Sequence, residues 1–178
     1  MSGMLATRVN AADHFLGLVT APVTLVEYGD YQCPACAAAY PIVHGVLEQN
    51  EVGLCFVFRH FPLSQVHPLA LMAAQIAEGA GAMRKFWEMH DWLYVNQPAW
   101  TKVGAPGIAL GARKLGITPT AMQRALEDPG IAEHVRQDFM GGVRSGVNGT
   151  PSFFINGRLH AGGYDTLADA VALAFEAD

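Results

Sequence analysis

Val26-Glu27-Tyr28-Gly29-Asp30-Tyr31-Gln32-Cys33-Pro34-Ala35-Cys36 decides how this chain is read. It joins the end of an apolar run to two cysteines placed where a helix begins. The run, Val23-Thr24-Leu25-Val26-Glu27-Tyr28, lies between Ala21-Pro22 and Gly29-Asp30 and has the composition of a strand buried on both faces. Pro34 suits the first helical position, and the alanines at 35 and 37 to 39 have the best helix propensity. A helix is therefore expected to begin at Cys33 or Pro34 and run through Ile42, Val43, Val46 and Leu47, kinked but not stopped by Pro41. Leu54-Cys55-Phe56-Val57-Phe58 is a second apolar run of strand length. Strand, helix and strand make a βαβ unit with parallel strands and a right-handed crossover.

From Pro68 to about Val147 the pattern is helical: Leu69, Met72, Ala73, Ile76, Ala80 and Met83 recur at helical spacing, as do Phe86, Met89, His90 and Leu93. Further helices are expected over Ile108 to Leu115, from Thr118-Pro119 to near Asp128-Pro129, and over Ile131 to Val143. The strand signal returns at Ser152-Phe153-Phe154-Ile155, followed by the hairpin turn Asn156-Gly157, a partner strand at Arg158-Leu159-His160 and a last helix from Leu167 to Phe175. The order predicts an α/β fold in one domain over 1–178. Its core is 1–65 and 146–178, with an all-helical insertion, 66–145, between the βαβ and ββα halves.

With 178 residues, 51% hydrophobic and 15% charged against roughly 25% in an average soluble chain, extensive burial is expected and disorder is excluded. A net charge of −5 without any Lys/Arg cluster offers no footprint for nucleic acid. No apolar run approaches the ~20 residues of a membrane helix. Residues 1–18 lack a basic start, a continuous apolar stretch and a small-residue cleavage site, so a cytoplasmic location is expected. Cys33, Cys36 and Cys55 are too few for the disulfide framework of a small secreted domain.

A C-x-x-C at a helix start after a buried strand suits dithiol chemistry. The free N–H groups and positive dipole end of the first turn stabilise a thiolate, with a pKa lowered into the range of about 3.5 to 7.5. Cys33 is then the attacking nucleophile, and Cys36, deeper in the helix, resolves the mixed disulfide. The competing reading of the pair is half of a zinc site. Zinc needs two further ligands, yet there is no second C-x-x-C, Cys55 stands alone in an apolar strand, and only convergence of His60, His67 and His90 would supply them. No metal ligand is predicted. Glu27, among Leu25, Val26 and Tyr28, is expected to be buried, with a raised pKa that makes it a proton acceptor for Cys36; the alternative is a partly exposed strand-end glutamate.

Taken with the helical block and Gly149-Thr150-Pro151-Ser152-Phe153-Phe154-Ile155-Asn156-Gly157, the quoted stretch resembles the DsbA-like thiol:disulfide oxidoreductases of the thioredoxin-fold superfamily. The resemblance covers nearly the whole chain. It implies a thioredoxin-like fold carrying a helical insertion, and a cis-proline at Pro151 facing the C-x-x-C; the alternative is an ordinary trans proline opening a strand. It also implies a strand-end carboxylate at Glu27 and a substrate surface of Pro34, Ala35, Thr150 and Pro151, in which Pro151 exposes the Thr150 backbone to an extended substrate and excludes metal. Pro34-Ala35 lacks the histidine of strongly oxidising DsbA-type motifs, so a less oxidising couple is expected.

The implied activity is exchange with protein thiols or glutathione, or with a thioredoxin-type partner, by a monomer or weak homodimer without a cofactor. Disulfide isomerases of the superfamily carry an added dimerisation domain, and with about 20 residues before Val23 an isomerase is the less expected reading. The other readings are a glutathione-dependent transferase or isomerase on the same fold and a non-catalytic metal-binding or chaperone-like module.

Overall fold

The structure, a computed structural model, describes residues 3–177. A five-stranded sheet has the order β1-β3-β2-β4-β5, from β1 (His14–Leu16), β2 (Val23–Gly29), β3 (Leu54–His60), β4 (Ser152–Ile155) and β5 (Arg158–Leu159). β2 and β3 are parallel, joined through α1 (Pro34–Gln49), which continues past Pro41. β4 runs antiparallel to β2, and β5 to β4. Asn156 and Gly157 turn that hairpin with φ of 47° and 76°, the left-handed pair that a two-residue hairpin requires.

β2 and β3 are buried along nearly their whole length because helices cover both faces of the sheet. Val23 and Leu25 pack with Cys36, Ala39, Val43 and Val46 of α1 and with Leu167 and Val171 of α8 (Leu167–Glu176). Val26 and Tyr28 face the other way, onto Phe61, Val147 and Phe139.

Between β3 and β4 stand α2 (Ala70–Gly81), α3 (Phe86–Val95), α4 (Gln97–Val103), α5 (Ala105–Lys114), α6 (Pro119–Glu127) and α7 (Pro129–Ser145). This helical block between the βαβ and ββα halves matches the architecture read from the pattern. α6 and α7 each have proline in the first turn. Thr118 Oγ1 accepts from the Ala121 N–H, and Asp128 Oδ1 from the Gly130 and Ile131 N–H groups.

The structure departs from the sequence reading in two places. The first strand is β1, upstream of the predicted one: His14 to Leu16 pair antiparallel with Phe58 to Phe56. β3 also runs two residues further than its apolar run, because Arg59 and His60 are buried with partners. The Arg59 guanidinium binds Asp13 in two places, at 2.7 and 3.0 Å, and also donates to the Thr7 and Arg8 carbonyls and the Tyr28 hydroxyl. A buried guanidinium is tolerated only when so fully paired.

Candidate active site

Cys33 is the residue before the first turn of α1, in extended conformation, with no side-chain capping bond in the thiol form. An acceptor side chain there meets the N–H groups of the second or third helical residue, here Ala35 and Cys36. The thiolate is that acceptor. Its pKa is held down from 9.0 to about 5, first by a hydrogen bond from the Cys36 side chain, against the opposing effect of burial, and then by Thr150 and the N–H groups of Cys36 and Ala35. Pro34 is exposed and Ala35 half-buried, and neither side chain carries a polar group toward the sulfur.

Cys36 lies behind Cys33, fully buried. Burial, the shared bond with Cys33 and the neighbouring Glu27 push its thiol well above the ordinary value. Glu27 occupies β2 opposite Phe58 of β3 and Phe153 of β4, at 3% exposure. Burial, and then the Cys33 charge, raise its pKa from 4.5 to about 8. The two sulfurs and the carboxyl thus have pKa values driven apart by their surroundings, as acid–base partners require.

The Thr150–Pro151 peptide is cis. Cys33 Sγ, as a thiol, donates to the Thr150 carbonyl at 3.3 Å. The Thr150 hydroxyl is buried without a hydrogen-bond partner, and Thr150 is among the groups that hold the Cys33 pKa down. The structure therefore brings Glu27, Cys33, Cys36, Thr150 and Pro151 together at the carboxyl end of β2, with Pro34 and Ala35 on the helix turn beside them.

Sequence reading did not find the residues that hold the loop. Gln97 Nε2, buried at the start of α4, donates to the Tyr31 and Cys33 carbonyls at 2.8 and 2.9 Å. Asp30 Oδ1 accepts from the Gln32 N–H at 2.7 Å, while its Oδ2 accepts from the Leu63 N–H at 2.9 Å and from His67 Nδ1 at 2.8 Å. Gln32 Oε1 accepts from the Leu69 N–H at 2.7 Å. Tyr31 is buried, its hydroxyl 3.1 Å from His90 Nδ1. Asp30, Tyr31 and Gln32 stood inside the quoted stretch, but apart from the Asp30–Gln32 turn their partners lie more than thirty positions away, so no local signal pointed to those contacts.

His60, His67 and His90 do not converge on the cysteines: they face Glu78, Asp30 and Tyr31 respectively. Among the described residues the group close enough to hold a metal ion is His14, Glu78 and His134, which includes no cysteine. Among the described residues, no helix is long and apolar enough to cross a membrane.

The sequence pattern of the family described as Thioredoxin matches residues 9–171. The chain is 42% identical over 166 residues to a Na(+)/H(+) antiporter NhaA 1 of Salinispora arenicola, covering 92% of this chain and 25% of that protein. It thus spans about a quarter of the length of the curated relatives it matches. Among solved structures it is similar to a thioredoxin-like oxidoreductase from Silicibacter pomeroyi, with TM-score 0.79, 28% identity and 95% of each chain covered. It also resembles the alpha-DsbA1 of Wolbachia pipientis, with TM-score 0.77, 19% identity, and 95% of this chain and 96% of that one covered. A cysteine pair at the start of the helix that follows β2, a helical block between the sheet halves and a family match across nearly the whole length lead to one conclusion: the chain belongs to the thioredoxin family, in the helix-inserted architecture of the DsbA-like oxidoreductases.

Proposed function

We propose that this chain exchanges disulfides with thiol substrates through Cys33 and Cys36. The observation that carries the reading is the placement of the two thiols: Cys33 sits at the helix start beside the Thr150 carbonyl, where its pKa is lowered, and Cys36 is fully buried behind it, where its thiol is pushed up.

In the reductive direction the Cys33 thiolate attacks a substrate sulfur, forming a mixed disulfide and releasing one substrate thiolate. Glu27 takes the Cys36 proton, and the Cys36 sulfur then attacks Cys33 Sγ and expels the second substrate thiolate. One substrate disulfide becomes two thiols, and the Cys33–Cys36 pair becomes a disulfide; oxidation is the reverse. A carboxyl titrating at about 8 is matched to accept and return a proton near neutrality. The cis Thr150–Pro151 peptide would offer its backbone to an extended substrate beside the sulfur, with Pro34 and Ala35 on the same surface. No cofactor is needed, because the cysteines carry both electrons.

The test is the equilibrium reduction potential of the couple in glutathione buffers, with Cys33→Ser as the blank. A potential below roughly −250 mV makes the protein a reductant of substrate disulfides, and one above about −180 mV an oxidant of substrate thiols. Failure of Cys33 and Cys36 to form a disulfide in any buffer would overturn the proposal.

A further inference from the structure

At the β1 edge of the sheet the fold gathers three imidazoles and two carboxylates that the dithiol chemistry does not use. His14 comes from β1, Glu78 from α2, and His134 and Asp138 from α7, with His60 behind them at the end of β3. One ligand atom from each of His14, Glu78 and His134 falls within a sphere where all lie within 4.8 Å of one another. Glu78 Oε1 is 2.9 Å from His14 Nε2 and 3.8 Å from His134 Nε2. His134 Nε2 is also 3.8 Å from Asp138 Oδ2.

Hydrogen bonding accounts for His14 and His60, which both reach Glu78, but not for His134. At 3.8 Å from a carboxylate oxygen of both Glu78 and Asp138, its ring nitrogen is beyond hydrogen-bond distance of either. Those spacings are close to the ones a shared ion would need. Ligands held about 2.0 to 2.2 Å from a metal stand about 2.9 Å apart at right angles and about 3.4 Å apart in a tetrahedron, values bracketed by the pairs seen here.

The surroundings are those of a prepared site. His60 Nε2 donates to Glu78 Oε1 at 2.7 Å, and its backbone N–H donates to Asp138 Oδ2 at 3.0 Å, so both carboxylates are oriented from behind. The Phe86 ring lies flat on His14, centroids 3.5 Å apart, which fixes that imidazole. His14 and His134 keep 22% and 28% of their side-chain surface open, leaving a path from solvent.

We propose that His14, Glu78 and His134 bind one divalent transition cation, with Asp138 or water completing the shell. Two imidazole nitrogens and a carboxylate suit zinc and its first-row neighbours, whereas calcium and magnesium favour all-oxygen shells. The ligands come from three elements far apart in the chain, so the ion would pin the short edge strand β1 to both α2 and α7. Because it would bind the folded chain alone, it would raise the unfolding temperature as its concentration rises.

The inference does not depend on the thiol reading, and its test silences the cysteine pair. Zinc is titrated into untagged Cys33→Ser/Cys36→Ser protein, with binding read by calorimetry and unfolding by thermal melt. One zinc per chain is expected, with a rise in unfolding temperature that calcium does not reproduce. His134→Ala removes a half-exposed side chain that makes no hydrogen bond short enough to stabilise the fold. It should weaken zinc binding by about tenfold or more and abolish the thermal shift. X-ray absorption of the zinc-loaded protein should show two imidazoles. Absence of zinc binding, binding indifferent to His134→Ala, or a shell without histidine would overturn the proposal.

Discussion

Replacing Glu27 by glutamine should stabilise the protein, and by an amount that depends on pH. In the folded chain the carboxyl titrates at about 8 instead of 4.5, with burial the larger cause. Below pH 4.5 both folded and unfolded chains hold the proton, and Glu27 adds no pH dependence. Between 4.5 and 8 the unfolded chain has released it and the folded chain has not, so stability falls as pH rises. The gap of about 3.5 pH units, at ~1.4 kcal/mol each, amounts to about 5 kcal/mol above pH 8 and about 3 kcal/mol at pH 7. Glutamine has nearly the same shape and no charge, so any fixed difference from its amide drops out when the two proteins are compared across pH. The assay is urea unfolding of the reduced proteins from pH 4 to 9. At ~1 to 3 kcal/mol per molar urea, the midpoints should separate by about 1 to 3 M at pH 7 relative to pH 4. Repeating the series with Cys33→Ser removes the neighbouring thiolate, and most of the slope should survive. A pH-independent difference between wild type and Glu27→Gln would mean a hydrated carboxyl and would refute both the buried-acid argument and its place as the proton acceptor of Cys36.

Thiolate absorbance should show Cys33 titrating near pH 5, and Cys36→Ala should move that midpoint upward, since the Cys36 bond is its largest support. Because the folded value lies below the unfolded one, the Cys33 contribution to stability should grow as pH rises from about 5 toward 9, opposite to the Glu27 trend, and urea unfolding of the reduced protein against Cys33→Ser across pH isolates it. Thr150→Val removes the hydroxyl that the thiolate would engage and should raise the Cys33 midpoint by about 1 to 2 pH units; an unchanged value would rule that donor out. Gln97→Ala strips the Tyr31 and Cys33 carbonyls of their shared donor and should cost about 2 to 3 kcal/mol in chemical unfolding. Asp13→Ala leaves the Arg59 guanidinium buried without its carboxylate and should cost about 3 to 5 kcal/mol, whereas Asp13→Glu should recover part of it.

Much of the architecture was legible because it is written in local pattern. Val23 to Tyr28 and Leu54 to Phe58 are apolar almost without interruption, as strands under helices on both faces must be. The cap at Thr118 and the Asn156-Gly157 turn each state their geometry within two to four residues, whereas Asp128, read as the end of one helix, caps the start of the next. β1 was not legible: its three residues, His14, Phe15 and Leu16, are a strand only because β3 offers an open edge. The end of β3 was hidden for the opposite reason, since Arg59 and His60 look like loop residues until Asp13 and Glu78 arrive from elsewhere to pair with them.

The same division holds for the candidate site. Cys33 and Cys36 could be named from the chain alone, because a cysteine at a helix start has properties set largely by the element that carries it, and the burial of Glu27 could be expected from its apolar strand; Thr150 and Pro151 were named only through the family resemblance. The contrast between an ionised Cys33 and a protonated Cys36 needed the packed structure, since it depends on how deeply each sulfur is buried and on which hydroxyl and N–H groups meet it. So did the grip of Gln97 and Asp30 on the active-site loop, and the meeting of His14, Glu78 and His134. Sequence by itself determines the features that arise from hydrogen bonding and burial within one strand, helix or turn. Contacts between residues distant in the chain are decided only when the sheet and the inserted helices close on each other, because only then do burial and charge act across elements.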